Sequence, residues 1–213
     1  MVSRGGSPVD REPQAMLTRI QQQFAFLAEM DKLKLIMRQT PLLDGSRKEN
    51  DAEHSWHLAM LVMILSEYAE PPVDMARVLQ MVLIHDVVEI DAGDTYCYNA
   101  AAHHDKVERE LRAAERLFGL LPGDQGEQLR GLWEEFEARE TPEARFANAV
   151  DRVQPLLHNC LTGGGSWREH GVKLSQVLER NRPILEGSPR LWEYMRGLLN
   201  SAVEQGHLED DSC

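Results

Sequence analysis

The spacing of apolar side chains predicts helices along almost the whole chain. Apolar residues recur every three or four positions from Leu17 to Met37, which is the period of one face of an α-helix. A second helix is predicted to start at Asn50 or Asp51, either of which can cap it, and to stop before Pro71-Pro72. Alternating runs bounded by turn residues, which would indicate strands, are nearly absent.

A third helix is predicted from Asp74 to Ile90. It is apolar almost all round, which is typical of a central, buried helix. Proline and glycine breaks separate further predicted helices at about 106–121, 124–139, 143–161, 173–186 and 189–205.

These elements predict a single all-α domain, a helical bundle of about seven to nine helices over residues 14–205. Residues 1–13 and the acidic tail 206–213 are predicted to be disordered, as chain ends often are. Pro155 lies inside the predicted helix 143–161 and lacks an amide hydrogen, so the helix is expected to kink or to be interrupted there.

Composition and charge narrow the function. With 42% hydrophobic and 27% charged residues, the chain is expected to fold. The net charge of −12 argues against coating a nucleic acid, because that affinity comes largely from basic residues. A small anionic substrate is still compatible if a metal ion or a local arginine supplies positive charge.

Targeting signals and cysteine use favour a cytoplasmic protein. The longest apolar run, Leu58 to Leu65, is far shorter than the roughly 20 residues that cross a bilayer. The N-terminus lacks the apolar stretch of a signal peptide. Cys97, Cys160 and Cys213 match neither a zinc motif nor a disulfide framework, so we expect a reducing compartment.

The third predicted helix carries a cluster of ionisable side chains that could coordinate a metal or act in catalysis. His85 and Asp86 lie among apolar residues, Glu89 follows one helical turn later, and Asp94 stands where the helix ends. Burying such groups is costly unless they are paired or bind a metal. A second histidine, His54, precedes them in the chain.

Asp151 lies on a later helix whose neighbouring inward positions are apolar. Together, two imidazoles and two carboxylates suit Mn²⁺, Fe²⁺, Co²⁺ or Zn²⁺ better than a metal that prefers thiolates.

In this order the residues resemble the HD-domain metal-dependent phosphohydrolases, in particular bacterial HD hydrolases related to 5′-deoxynucleotidases. The resemblance covers roughly residues 15–205. It rests on five stretches, DKLKLIMRQTPL, ENDAEHSWHLAM, LIHDVVEIDAGDT, RFANAVDRVQPLL and GGGSWREHGV.

The resemblance implies a function and a set of site residues. The implied activity is release of phosphate from a (deoxy)nucleoside 5′-monophosphate or a similar small phosphate ester. One divalent metal ion (Mn²⁺, Co²⁺, Fe²⁺, Zn²⁺ or Mg²⁺) is implied, with a homodimeric assembly. From the net charge and the short apolar runs, neither a nucleic acid polymer nor a membrane is expected as a partner. The implied metal ligands are His54, His85, Asp86 and Asp151, the catalytic carboxylates are Glu89 and Asp94, and the substrate arginine is Arg38.

Several alternatives remain open. Related deoxynucleotidases carry tryptophan directly after the arginine, whereas Gln39 stands here, so a preference for deoxyribose is not implied. A non-catalytic nucleotide sensor would be expected to lack Glu89 or Asp94. Dinuclear phosphodiesterases and oxygenases use two extra histidines, and His103-His104 are the candidates, although they are expected to be surface residues. Guanosine tetraphosphate hydrolases place Glu-Asp after the HD pair, where Glu89-Ile90 stands here.

Two further expectations concern other positions. His57 could either support the site or pack in the core. Apolar positions in the last two predicted helices could either form a dimer interface or close the core.

Overall fold

The structure is a computed structural model that describes residues 8–94 and 104–211. The described residues are mainly helical, which confirms the predicted all-α class. The α-helices run from Pro8–Met30 (α1), Asp51–Leu65 (α2), Met75–Ile84 (α3), Glu89–Ala92 (α4), Lys106–Phe118 (α5), Gly123–Ala138 (α6), Pro142–Leu161 (α7), Gly165–His170 (α8), Leu174–Asn181 (α9), Pro183–Gly187 (α10) and Pro189–Glu204 (α11).

The segment after α1 differs from the prediction. The chain forms a short 3₁₀ helix over Asp31–Leu35 and then an antiparallel pair of strands, Met37–Pro41 (β1) and Lys48–Asn50 (β2). The apolar periodicity that reaches Met37 therefore continues past the end of the helix. Strands of five and three residues are too short to show a clear alternation.

The predicted third helix is broken at its most polar point. A 3₁₀ turn over His85–Val88 separates α3 from the short α4. A 3₁₀ turn places side chains three residues apart in line, unlike an α-helix. This break changes the directions of His85 and Asp86 relative to the apolar residues of α3, and it lies at the functional site.

Helix α7 lies at the centre of the molecule, where it packs against α2, α3, α6, α10 and α11. Phe146 and Val150 of this helix are fully buried, as are Val78 and Met81 of α3. Helix α7 continues through Pro155, so the interruption that the sequence allowed does not occur. Gly187 permits the close approach of α10, since a β-carbon there would lie 2.5 Å from the Arg145 carbonyl oxygen.

The described residues reach into both end segments for which the sequence predicts disorder. Helix α1 already begins at Pro8, inside the segment 1–13 that was expected to be disordered. In the tail, Leu208 is buried in the main core and Asp211 accepts hydrogen bonds from the backbone and hydroxyl of Ser175. In the described part of the chain, no helix is long and apolar enough to cross a membrane.

Candidate metal centre

Three structural elements bring the predicted ligands together. His54 lies in the first turn of α2, where Asn50 and Glu53 form a reciprocal capping box that fixes the start of the helix. His85 and Asp86 lie on the 3₁₀ turn after α3, and Asp151 lies in the middle of α7. All four residues are buried.

The four side chains form one compact cluster. Asp151 Oδ1 lies 3.1 Å from His54 Nε2 and 3.6 Å from His85 Nε2. Asp86 Oδ1 lies 3.1 Å from His85 Nε2, and Asp86 Oδ2 lies 3.9 Å from His54 Nε2. The structure therefore places two histidine nitrogens and two carboxylates around one point, although they come from separate parts of the chain.

The hydrogen bonds of the two Nδ1 atoms, which lie on the side of each ring away from the cluster, determine the tautomer of His54 and of His85. His85 Nδ1 is 2.9 Å from the Val82 carbonyl oxygen, which can only accept, so Nδ1 carries the hydrogen. His54 Nδ1 is 3.2 Å from Gln154 Oε1 and is paired in the same way. In the neutral rings each Nε2 atom therefore carries a lone pair, and that lone pair points at carboxylate oxygens.

Lone pairs that face carboxylates repel them unless a proton or a metal cation lies between. Within the described residues His85 Nε2 has no hydrogen-bond partner, although it is buried. Nitrogen and oxygen donors of this kind, with the outer ring nitrogens held by acceptors, are what divalent transition metals prefer. The residues present therefore fit a divalent metal ion.

Without a metal, protonation has to balance these charges. Burial lowers the pKa of His85, but the Asp86 charge and the nearby Asp151 raise it more strongly, to about 10. Burial raises the pKa of Asp151, yet Arg152 and the two histidines hold it well below its usual range. The centre is therefore expected to hold protons that a metal ion would displace.

Arg38 reaches the same cluster from β1. Its Nη1 donates to Asp86 Oδ2 at 2.7 Å and lies 3.4 Å from Asp51 Oδ1. The Arg38 guanidinium also lies 3.5 Å from Glu49 Oε1 through its Nε atom. The structure thus places Arg38 beside the proposed ligands, as the resemblance implies.

The predicted catalytic carboxylates lie on the open side of the cluster. Glu89 begins α4 and is buried, and its Oε2 has no hydrogen-bond partner in the described structure. Burial and the charges of Asp86 and Asp51 raise the pKa of Glu89 well above its usual value. Asp94 lines the same cleft, and burial also raises its pKa.

Asp51 is a site residue that the sequence analysis treated only as a cap. It is fully buried beside Asp86 and Glu89, with which it forms a second group of closely spaced carboxylates. Burial and the Asp86 charge raise the pKa of Asp51 to about 7. Its position three residues before His54 could have indicated this, since residues three apart share a helix face.

A polar network behind His54 was also missed. Gln154 and His158 are buried with Glu49 on the side of the ring away from the cluster. Gln154 and His158 follow Asp151 by three and seven residues, a spacing that places all three on one face of α7.

The open histidine predictions are partly resolved. His57 is half-buried, and its ring packs against His158 at 5.3 Å between centroids, so it lies beside this network and not in the cluster. His104 is exposed, as predicted. His103 lies outside the described residues.

The cluster opens into a cleft of about 310 Å³, large enough for a small organic ligand. Asp86, Glu89, Asp94 and Asp151 line its acidic part. The cationic side chains that line the cleft are Arg38, Lys106, Arg139, Arg152 and Arg180.

A family model described as an HD domain matches residues 30–192 of this chain, which include every residue of the cluster. Among solved structures, a predicted metal-dependent phosphohydrolase from Magnetospirillum magnetotacticum MS-1 superposes with a TM-score of 0.87. The two chains are 54% identical, and the match covers 90% of this chain and 96% of that one.

Curated relatives are more distant. A 5′-deoxynucleotidase from Erwinia tasmaniensis is 28% identical over 74% of this chain and 84% of its own length. The human 5′-deoxynucleotidase HDDC2 is 28% identical over 52% of this chain, and the chain spans about half (53%) of that relative. A Pyrococcus horikoshii protein of 21% identity, with a TM-score of 0.60, shares the fold.

Proposed function

This chain belongs to the HD domain family, and from that premise we propose that it is a metal-dependent phosphohydrolase acting on small phosphate monoesters. The favoured substrate is a nucleoside or deoxynucleoside 5′-monophosphate. The observation that carries the proposal is the pair of histidine Nε2 lone pairs directed at two buried carboxylates. The names of the similar proteins support the same chemistry.

His54, His85, Asp86 and Asp151 would hold one divalent cation. When bound, the cation supplies positive charge to a phosphate oxygen and lowers the pKa of a water molecule. These four side chains would leave part of the coordination of the cation open for these two groups. The acidic chain then needs no broad basic surface to accept an anionic substrate.

Glu89 is proposed to accept the proton of the attacking water once a bound cation offsets the charges of Asp86 and Asp51, which otherwise raise its pKa. Its Oε2 is buried without a hydrogen-bond partner among the described residues and lies at the open side of the cluster. A positioned carboxylate of this kind is a typical general base. Asp94, which lines the same cleft, is proposed to protonate the leaving alkoxide.

Arg38 is proposed to bind the phosphate. Its guanidinium pairs with Asp86 and lies near Asp51, so it is held at the centre before substrate arrives. A planar guanidinium can donate two parallel hydrogen bonds to phosphate oxygens. The Arg38 charge would then stabilise the phosphate as negative charge develops on its oxygens.

Phosphate release tests the proposal. We expect the purified protein with Mn²⁺ or Co²⁺ to release inorganic phosphate from a panel of ribonucleoside and deoxyribonucleoside monophosphates, and to be inactive after chelation. Gln39 lines the cleft and accepts a hydrogen bond from Lys48 at 2.6 Å, so matched ribo and deoxy pairs are essential. Nucleotide binding without release in every metal would favour the alternative, a non-catalytic sensor.

The protein is also proposed to be a cytoplasmic homodimer. In the structure Leu191, Met195 and Leu199 of α11 close the core, so they cannot supply an interface. Helix α1 instead exposes Leu17, Ile20, Phe24 and Leu27, at the spacing of one helix face. Light scattering should give about twice the chain mass of 24.2 kDa, and a mass of one chain would contradict the dimer.

A further inference from the structure

A hydrogen-bond chain runs from a backbone carbonyl of β1 to the metal-facing histidine. His158 Nδ1 lies 3.0 Å from the Pro41 carbonyl oxygen, and His158 Nε2 lies 3.3 Å from Gln154 Nε2. Gln154 Oε1 lies 3.2 Å from His54 Nδ1. Gln154 is fully buried, and His158 nearly so.

The first member fixes the direction of every later bond. A carbonyl oxygen only accepts, so His158 Nδ1 donates to Pro41 and neutral His158 presents a lone pair at Nε2. Gln154 must therefore turn its amide nitrogen toward His158. Gln154 Nε2 also donates to Glu49 Oε2 at 2.8 Å, and this second acceptor makes the same orientation necessary.

The amide orientation in turn fixes His54. With its nitrogen occupied by two acceptors, Gln154 can offer only Oε1 to the ring, so His54 Nδ1 carries the hydrogen. His54 Nε2 is left bare, and it is the atom that lies 3.1 Å from Asp151 Oδ1. The buried carboxylate of Glu49 thus acts on His54 through the amide of Gln154, and its Oε1 also lies 3.6 Å from His54 Nδ1.

We propose that Gln154 is a positioning residue that holds His54 in the one tautomer able to bind the metal through Nε2. This inference rests on the proposed metal site. The network also ties that ligand to the strand carrying the phosphate-binding residue, because Pro41 and Arg38 both lie on β1. Glu49, whose Oε1 lies 3.5 Å from Arg38 Nε, connects the two a second time.

Removal of the amide should weaken metal binding without touching a ligand. In Gln154→Met the side chain keeps its length but neither accepts from His54 nor donates to Glu49. We expect the affinity for Co²⁺ to fall about 10–100-fold, the usual cost of losing a partner behind a metal ligand. The visible absorption of bound Co²⁺ should change as well, because the direction of His54 is no longer fixed.

An exchange of two side chains tests the direction of the chain. Gln154→Glu alone places a carboxylate beside Glu49 and should bind Co²⁺ weakly. In the double variant Glu49→Gln/Gln154→Glu, Gln at 49 can donate to Glu at 154, which accepts from His54 Nδ1. We expect the double variant to recover most of the lost affinity and the wild-type spectrum.

Ser188→Ala is the matched control, since Ser188 is fully buried and donates to the Tyr68 carbonyl oxygen at 2.6 Å, away from the centre. It should lower thermal stability but leave Co²⁺ affinity unchanged. A folded Gln154→Met protein with wild-type affinity and spectrum would overturn the proposal, as would an exchange variant no better than Gln154→Glu. Failure of the wild-type protein to bind Co²⁺ would instead contradict the proposed metal site, and the inference with it.

Discussion

The two sides of the His54 and His85 rings differ in how completely their polar atoms are paired. On the rear side, His54 Nδ1 and His85 Nδ1 each have an acceptor, and Gln154 connects His54 to further partners. On the cleft side, His85 Nε2 and the buried Glu89 Oε2 lack hydrogen-bond partners among the described residues. Buried polar groups in folded proteins are nearly always paired, so these two cleft atoms are exceptions. On the rear side Glu49 Oε1 also lacks a hydrogen bond within the described part of the chain, but it lies 3.5 Å from Arg38 Nε and 3.6 Å from His54 Nδ1.

The rear side therefore orients the two histidines, whereas the cleft side carries the atoms that would bind metal and substrate. The rear hydrogen bonds give each ring one orientation and occupy its Nδ1 atom, which therefore takes no part in the chemistry. The cleft atoms are held close together with their binding capacity unused, an arrangement that is costly unless a ligand completes it. Substitutions on the two sides should therefore have different consequences, and the following predictions test this.

The largest effect is expected on the cleft side, at Asp151. Asp151→Ala removes the oxygen that lies 3.1 Å from His54 Nε2 and 3.6 Å from His85 Nε2. We expect the protein to lose bound metal and all measurable phosphate release, because loss of a direct ligand should exceed the roughly 10–100-fold cost of losing an outer partner.

Metal content after dialysis measures the Asp151 effect. Glu110→Gln is the control, since Glu110 is a buried carboxyl of the same cleft that pairs with Lys106 at 3.2 Å. This control should keep its metal. Normal metal content in Asp151→Ala would remove Asp151 from the ligand set.

Glu89 should affect turnover but not metal content. Glu89→Gln keeps the shape of the side chain and removes its ability to take a proton. We expect kcat to fall by about 10²–10⁴, the range for a positioned general base, with bound metal unchanged. A wild-type kcat, measured under saturating nucleotide and Mn²⁺, would assign Glu89 a structural role.

Much of this centre could be predicted from the sequence, and the reason is local. His85, Asp86 and Glu89 lie close together in an apolar segment, where charged groups need a common explanation. His54 and Asp151 then complete the donor set that the resemblance implies. The structure places His85, Asp86, Glu89 and Asp151 around one cleft, with His54 buried behind them against Asp151.

The rear network and the hairpin could not be found in the same way. Gln154 and His158 are ordinary helix residues until the position of β1 is known, because Pro41 decides the direction of their hydrogen bonds. Contacts with the rest of the fold determine that β1 and β2 are strands, although the apolar spacing typical of a helix continues to Met37. The tail likewise owes its order to the burial of Leu208 in the core.

Asp51 should change the pH dependence of stability in metal-free protein. Its pKa is raised by burial and the Asp86 charge from 3.8 to about 7, so the folded state resists its ionisation. The resulting loss of folding stability is absent below pH 3.8, the pKa of Asp51 in the unfolded chain. It grows as the pH rises from there to about 7 and is complete above that pH. Asp51→Asn removes this loss.

We therefore expect Asp51→Asn to melt at a higher temperature than wild type at pH 8, and at nearly the same temperature at pH 4. The comparison is made with chelator present. Co²⁺ should reduce the advantage of the variant, because a nearby cation stabilises the Asp51 carboxylate. Equal melting temperatures at pH 8 without metal would show that Asp51 is not strained by its neighbours.

The smallest effect is expected at Pro155, which lies on α7 between the two sides of the comparison, next to Gln154 and one turn after Asp151. Proline has no amide hydrogen, so the Asp151 carbonyl oxygen lacks the usual helical donor. Pro155→Ala restores that donor and should raise stability, by at most the roughly 3 kcal/mol that an interior proline costs. If the missing bond helps to direct the Asp151 carboxylate, metal affinity should fall slightly in the same variant. Thermal melting measures the effect on stability, and Co²⁺ titration measures the effect on metal affinity. A more stable protein with wild-type affinity would show that the backbone at Pro155 has no part in orienting the Asp151 carboxylate. The rear hydrogen bonds would then hold the centre in place without it.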